Sequence, residues 1–267
     1  MRLTIVGCSG SFAGPDSPAS SYLIEAEETV GGDTRTWRVV VDLGSGALGS
    51  LQRFAQPGTL DAVLISHLHP DHFIDLCGLF VARRYDPHLD PTADPTPLPV
   101  YGPAGTADRV LAASGPDAAE DLPSVYDVRE LTDGGVIRIG PLIITSRTVN
   151  HPVPAFGLRI EHEGVVIAYS GDTDSCPNLI DLARGADLFL CEASFIEGRD
   201  EGRDVHLTGK RAGEAATEAD VRRLVLTHIP VWTETDTVLA EAQATYLGSV
   251  EAAGTGAAYL LERVEVR

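Results

Sequence analysis

A chain of 267 residues is long enough for one α/β domain with a substantial core and too short for two comfortable ones. Its 20 Lys and Arg stand against 39 Asp and Glu, a formal charge of −19. That average field repels polyphosphates and anionic membranes, so long nucleic acids are poor partners, while a small anionic substrate held by local cations stays open.

In chain order, the first elements are short β-rich runs, LTIV (3–6), SSYLIEAE (20–27) and TWRVVVDLG (36–44), separated by glycine-containing turns suited to hairpins. ALGSLQRFA (47–55) has helical spacing, and DAVLIS (61–66) is a buried-strand pattern that delivers His67 at its end. The segment from His72 to Arg84 reads as a helix, which puts Asp71 and His72 near its N-terminus, on a strand-to-helix turn. The proline- and aspartate-rich stretch 85–99 is a surface loop or lid, with His88 a solvated turn residue. A strand, PVYGP, and a helix near 104–113 follow.

The second half repeats this organisation. Its β-rich runs are VIRIGPLIITSRTV (136–149), FGLRIEHEGVVIAYSGD (156–172), DLFLCEASF (187–195) and RRLVLTH (222–228), and its helices fall near 177–184, 208–220 and 235–247. His162-Glu163-Gly164 reads as a hairpin turn with His162 on the surface. The charge run EGRDEGRD (197–204) is a solvated loop that leads to His206. Two halves, each of strands followed by helices, predict two sheets packed face to face with helices outside, in one domain spanning 1–267.

Cys8, Cys77, Cys176 and Cys191 are isolated and form no C-x-x-C pair, as suits reduced, packed thiols. The apolar stretch at the N-terminus is too short for a signal peptide, and no segment reaches the roughly 18 apolar residues of a membrane helix. A cytoplasmic protein is expected.

The chemistry concentrates at strand ends. SHLHPDHFIDL (66–76) packs His67, His69, Asp71 and His72 into six positions of a chain with eight histidines. A core could hold that composition only around something bound, and a metal is the natural occupant. Three later strands also end in ligand types: His151, Asp172 and His228. Seven candidate ligands exceed the three that a single catalytic zinc needs. Two ions fit the count, with His67, His69 and His151 on one, Asp71, His72 and His228 on the other, and Asp172 between them. Paired cations make water nucleophilic near neutral pH and stabilise the attacking and leaving oxygens of a displacement, which suits phosphodiester hydrolysis.

HLHPDH (67–72) matches the H-x-H-x-D-H signature of the metallo-β-lactamase superfamily, and VNHP (149–152), GDTD (171–174) and THIP (227–230) follow in the expected order. The resemblance covers essentially the whole chain. It implies an αββα four-layer sandwich with a dinuclear site at one edge. True β-lactamases of this family typically carry cysteine where this chain has Asp172, so antibiotic hydrolysis is a poor match. CEASF (191–195) and HLT (206–208) are similar to segments of the ribonuclease Z and phosphodiesterase group. That resemblance implies a catalytic set of Asp71, His206 and Glu192, in which His206 protonates the leaving oxygen and Glu192 orients it.

Ribonuclease Z enzymes of the armed form carry a basic arm between the positions of His151 and Asp172, where this chain has room for one hairpin only. GCSGSFAGPDSPASS (7–21), DLGSGALG (42–49) and LISHLHPDH (64–72) resemble runs of actinobacterial atypical cyclic-nucleotide phosphodiesterases. Residues 7–21, rich in glycine and serine, could offer N–H groups or hydroxyls to a phosphate. Trp232 and Phe156 are candidate walls for a nucleobase. The implied function is hydrolysis of a small cyclic nucleotide, 3′,5′-cAMP to 5′-AMP, at two divalent ions, with Zn2+ first and Mn2+ second, in a homodimer. The alternatives are a tRNA 3′-end processing endonuclease and a metal-containing nucleotide-binding protein without significant turnover.

Overall fold

The computed structural model describes residues 1–85 and 96–263; the expected loop residue His88 lies outside the described residues. The first half runs β1 (Arg2–Gly7), β2 (Ser21–Val30), β3 (Asp33–Val41), α1 (Ala47–Leu51), β4 (Ala62–Leu64), α2 (Pro70–Phe73), α3 (Leu76–Tyr85), β5 (Leu98–Gly102), α4 (Thr106–Ser114), α5 (Leu122–Val125) and β6 (Tyr126–Glu130). The second runs β7 (Val136–Ile139), β8 (Leu142–Thr148), β9 (Phe156–His162), β10 (Val165–Tyr169), α6 (Pro177–Ala183), β11 (Leu188–Glu192), α7 (Gly209–Glu218), β12 (Arg223–Thr227), α8 (Thr235–Gln243), β13 (Ser249–Ala252) and β14 (Ala258–Leu260).

The strands form two seven-stranded sheets, ordered β14-β1-β2-β3-β4-β5-β6 and β13-β12-β11-β10-β9-β8-β7. Alternation along the strands assigns the layers. Tyr22, Ile24, Val39 and Val41 of the first sheet share one core with Leu158, Ile160, Ile167, Tyr169, Leu188 and Leu190 of the second. Their neighbours Leu23 and Val40 face helices α1 to α5 instead, and Val166, Phe189 and Cys191 face α6 to α8. Helix, sheet, sheet and helix are therefore stacked in that order, the αββα sandwich expected from the sequence.

Each sheet begins with antiparallel hairpins and ends in parallel strands joined by helices. The hairpin turns Gly31-Gly32 and Glu163-Gly164 place both central residues at positive φ, as a two-residue turn matching strand twist requires. His162, just before the second turn, is not on the surface as expected. It is 7% exposed, because the two-residue period that turns Leu158 and Ile160 into the space between the sheets turns His162 there as well.

Two elements near the strand-to-helix turn also differ from expectation. The helix expected over 72–84 is broken between α2 and α3 at Ile74-Asp75, where Asp75 Oδ2 accepts the Leu48 amide at 2.9 Å. The strand expected over 61–66 keeps only three residues in the ladder. Ser66 leaves it because its amide donates to the Asp42 carboxylate at 2.7 Å. Among the described residues no helix is long and apolar enough to cross a membrane.

Candidate metal centre

The parallel strands β3, β4, β10, β11 and β12 all run out toward one edge of the sandwich. Just beyond their C-terminal ends stand Asp42, His67, Asp172, Glu192 and His228, with Glu192 the last residue of its strand. His69 precedes α2 in extended backbone and Pro70 opens the helix, so Asp71 and His72 lie in one tight turn beside it. Two glycines allow the close approach. A Cβ on Gly44 would stand 1.9 Å from the Asp71 carbonyl, and one on Gly10 would stand 2.3 Å from that of His228.

All seven sequence-predicted ligands converge. His67, His69 and His151 form one group, and Asp71, His72, Asp172 and His228 form a second, with the potential ligand atoms of each group within 4.8 Å of one another. His69 Nδ1 lies 3.0 Å from His67 Nε2 and 3.3 Å from His151 Nε2. Two nitrogens bound to one tetrahedral zinc stand about 3.3–3.4 Å apart, from bond lengths near 2.0–2.1 Å. Asp172 faces both groups: Oδ2 is 3.6 Å from His67 Nε2 and 3.3 Å from His228 Nε2, and Oδ1 is 3.3 Å from His72 Nε2. Oδ1 is buried without a hydrogen-bond partner, an expensive arrangement unless a cation answers it.

The imidazoles are oriented from behind. His72 Nδ1 donates to Asp42 Oδ2 at 2.8 Å, His151 Nδ1 to the Val205 carbonyl at 2.8 Å, and His228 Nδ1 to Ser194 Oγ at 2.7 Å. His67 Nδ1 meets Ser66 Oγ at 3.2 Å, and that hydroxyl in turn donates to Asp42. With Nδ1 committed as donor, each Nε2 is left to present a lone pair to the centre, which is how ligating histidines are fixed in tautomer and angle. Asp42, Ser66 and Ser194 are the residues that sequence reasoning missed. Asp42 also accepts the Tyr169 hydroxyl at 2.7 Å, and its backbone sits at positive φ, a conformation that Asp tolerates better than most residues.

Charge supports the same use. Burial holds His67, His69 and His151 below the ordinary histidine pKa, in the neutral form that binds metal. Burial would push Asp172 up, but His228, His72 and His67 outweigh it and hold the carboxyl well below the usual range. Burial likewise opposes protonation of His72, yet Asp172 and Asp42 raise it well above the usual value. Buried carboxylates at both ring nitrogens of one imidazole make a place that calls for positive charge. This His and Asp set suits a divalent cation.

Beside the second group, His206 Nδ1 donates to Glu192 Oε1 at 2.8 Å. Glu192 is fully buried and accepts the amides of Thr173 at 2.8 Å and Ser194 at 3.2 Å, so its position is fixed by backbone. Burial lowers the His206 pKa, and the Glu192 charge and hydrogen bond more than reverse this, to about 9. The His206 ring stands 5.5 Å from that of His151 and 5.4 Å from that of His228, over the join of the two groups. The 197–204 loop borders the site as its sequence position suggested: Asp204 accepts the Asn150 side chain, and its amide donates to Asp174.

The proposed nucleobase walls fare differently. Phe156 is 6% exposed and belongs to the core between the sheets, where the first position of β9 points, so it cannot touch a ligand at this edge. Trp232 is 59% exposed and pairs with Phe12, ring centroids 5.1 Å apart.

Residues 37–229 match the family model described as beta-lactamase superfamily domain. The chain belongs to the beta-lactamase superfamily. Within it, the chain is 46% identical over 268 residues to the uncharacterized protein ML1173 of Mycobacterium leprae, covering 99% of this chain and 90% of that one. It is 34% identical over 253 residues to ribonuclease Z of Mycobacterium marinum, covering 85% and 86%. The crystal structure of the metallo-beta-lactamase fold protein YhfI from Bacillus subtilis superposes with a TM-score of 0.81 at 27% identity, covering 97% of this chain and 99% of that one. Membership of this superfamily supports a metal-dependent hydrolase, in line with the His and Asp cluster at the sheet edge.

Proposed function

We propose that the chain, acting as one domain over 1–267, is a phosphodiesterase that hydrolyses a small cyclic nucleotide, 3′,5′-cAMP to 5′-AMP. His67, His69 and His151 would hold one divalent cation and Asp71, His72 and His228 a second, with Asp172 bridging them. Zn2+ is the first choice and Mn2+ the second. The observation that carries this reading is Asp172, whose two oxygens face lone-pair nitrogens of both groups while one of them has no hydrogen-bond partner.

Cations bound there supply Lewis acidity: they offset the phosphoryl charge and make water nucleophilic near neutral pH. The protein supplies the proton. Water loses one proton to solvent as its oxygen bonds to phosphorus, the bond from phosphorus to the ribose O3′ breaks, and His206, protonated and turned by Glu192, gives its Nε2 proton to the departing oxygen and is reprotonated from solvent. A buried carboxylate behind the imidazole stabilises the charged form that this donor must start from. Asp71, on the turn it shares with His72, has Oδ2 3.1 Å from His228 Nε2, so the carboxylate and the imidazole lone pair face one point where both would serve as ligands.

A small substrate is favoured over RNA by the −19 charge and by the segment from His151 to Asp172, which is a single hairpin with a two-residue turn and carries no arm. Identity to a ribonuclease Z keeps tRNA 3′-end cleavage as the second reading. Four free cysteines suit a reducing cytoplasm, and the resemblance implies a homodimer. The deciding experiment is product formation from 3′,5′-cAMP by protein reconstituted with zinc or manganese, beside a His206→Ala variant. The expected result is 5′-AMP from the parent and a collapse in the variant. Binding of cyclic nucleotide without turnover would favour a nucleotide-binding protein, and cleavage of precursor tRNA in preference to cAMP would favour the second reading.

A further inference from the structure

Beyond the metal ligands, one further structure reaches the same edge. The 9–12 turn and the 228–232 loop are joined: Ser9 bridges to Ile229, and the Gly10 amide donates to the Ile229 carbonyl at 3.2 Å. Ser11, held at positive φ, aims its amide at His228 Nε2, 3.3 Å away. The next residue is Phe12, its Cα about 3.8 Å from that of Ser11. From the other loop, Trp232 meets it at a tilt of 42°. The two rings remain 41% and 59% exposed, and Val231 beside them is 49% exposed, so a patch of large apolar side chains opens at the rim of a polar, acidic site.

We infer that Phe12 and Trp232 form a stacking platform for a planar aromatic group of the substrate, a nucleobase in a phosphodiester, while the Ser11 amide donates to an oxygen of the phosphoryl group. This rests on the phosphodiesterase reading and adds what selects among phosphodiesters. The arrangement matches the two ends of such a molecule. At the metal groups, an oxyanion finds an N–H that loses its imidazole acceptor once His228 Nε2 turns its lone pair to a cation. One residue along, aromatic rings that stay 41% and 59% exposed meet the apolar end. Stacking of this kind tolerates any base, because every base has a π-face, so the platform sets a preference for aromatic over aliphatic esters and not for one base over another.

Trp232 is one of two tryptophans, so the Trp37→Phe variant makes it the sole indole reporter. Metal-loaded protein of that background, its fold checked by circular dichroism, is titrated with 5′-AMP and with ribose 5-phosphate, following Trp232 emission and heat of binding together. The expected result is saturable quenching by 5′-AMP, weaker binding of ribose 5-phosphate without quenching, and at least about a fivefold loss of 5′-AMP affinity in Phe12→Ala. In turnover, Trp232→Ala raises KM for cAMP with kcat little changed, and Trp232→Phe restores most of the loss. Equal affinity for both ligands with unchanged emission overturns the platform and leaves the phosphodiesterase reading intact. Failure of both ligands to bind overturns the two together. Emission that changes with protein concentration alone, alongside dimer formation, shows a second copy covering the pair and also overturns it.

Discussion

The two groups of ligands differ in how they are built. His72, Asp172 and His228 are almost wholly buried and Asp71 nearly so, with His72 and His228 braced by side chains, Asp42 and Ser194. In the other group only His67 is buried. Among the described residues His69 has no side-chain brace outside the group, and His151 leans on a loop carbonyl at Val205. The buried group is pre-set by the core, whereas the open one sits on loops whose alignment a bound cation would have to complete.

The comparison can be broken most severely at Asp172, the residue common to both. Asp172→Ala should take turnover to the detection limit and lower metal content below the two ions per chain that the proposed function requires, read by elemental analysis. His206→Ala should leave metal content unchanged and cost about 10²–10⁴-fold in kcat, the span of a lost general acid. Asp42→Ala should weaken the buried-group ion by about 10–100-fold, since outer partners of ligating histidines carry effects of that size. His151→Ala should instead release only the open-group ion. If both variants lost the same ion in a competition with a chelator, the distinction between the groups would fail. Ser194→Ala should be milder, about tenfold or less in affinity of the buried-group ion.

The smallest effect concerns pH. His206 has its folded pKa raised, so the proton it would donate in the proposed reaction is present at low pH and lost as pH rises toward about 9. Its pairing with Glu192 likewise adds stability fully present below the unfolded histidine value, about 6.5, and lost as pH rises through the folded one. Cations bound nearby would lower that ceiling. Glu192→Gln should move the alkaline limb of kcat toward lower pH, which a pH–rate profile reads. An unmoved limb would separate His206 from the proton transfer.

The candidate ligands were legible because each is a chemically distinctive residue at or soon after the end of an apolar strand, and strand order delivers them all to one edge. The braces were not. Asp42 and Ser66 read only as the ends of β-rich runs, and Asp42 meets His72 thirty positions later and Tyr169 more than a hundred later, pairings that only packing creates. Phe156 was misplaced for the converse reason: nearness to His151 in sequence says nothing of the face a strand turns inward. The same blindness to face put His162 on the surface. Phe12 carried no signal beyond glycine and serine neighbours, since its partner Trp232 lies 220 positions away.

The division of ligands between the halves also dictates an order of events in time. His67, His69, Asp71 and His72 come from the first sheet's loops, and His151, Asp172 and His228 from the second's. Neither half alone can present the complete set, and contacts so distant along the chain form slowly. Uptake of two ions at the proposed site would therefore have to follow docking of one sheet on the other. Stopped-flow refolding with a zinc indicator should show the last ion captured no faster than the slowest folding phase, making metal occupancy a clock for completion of the native state.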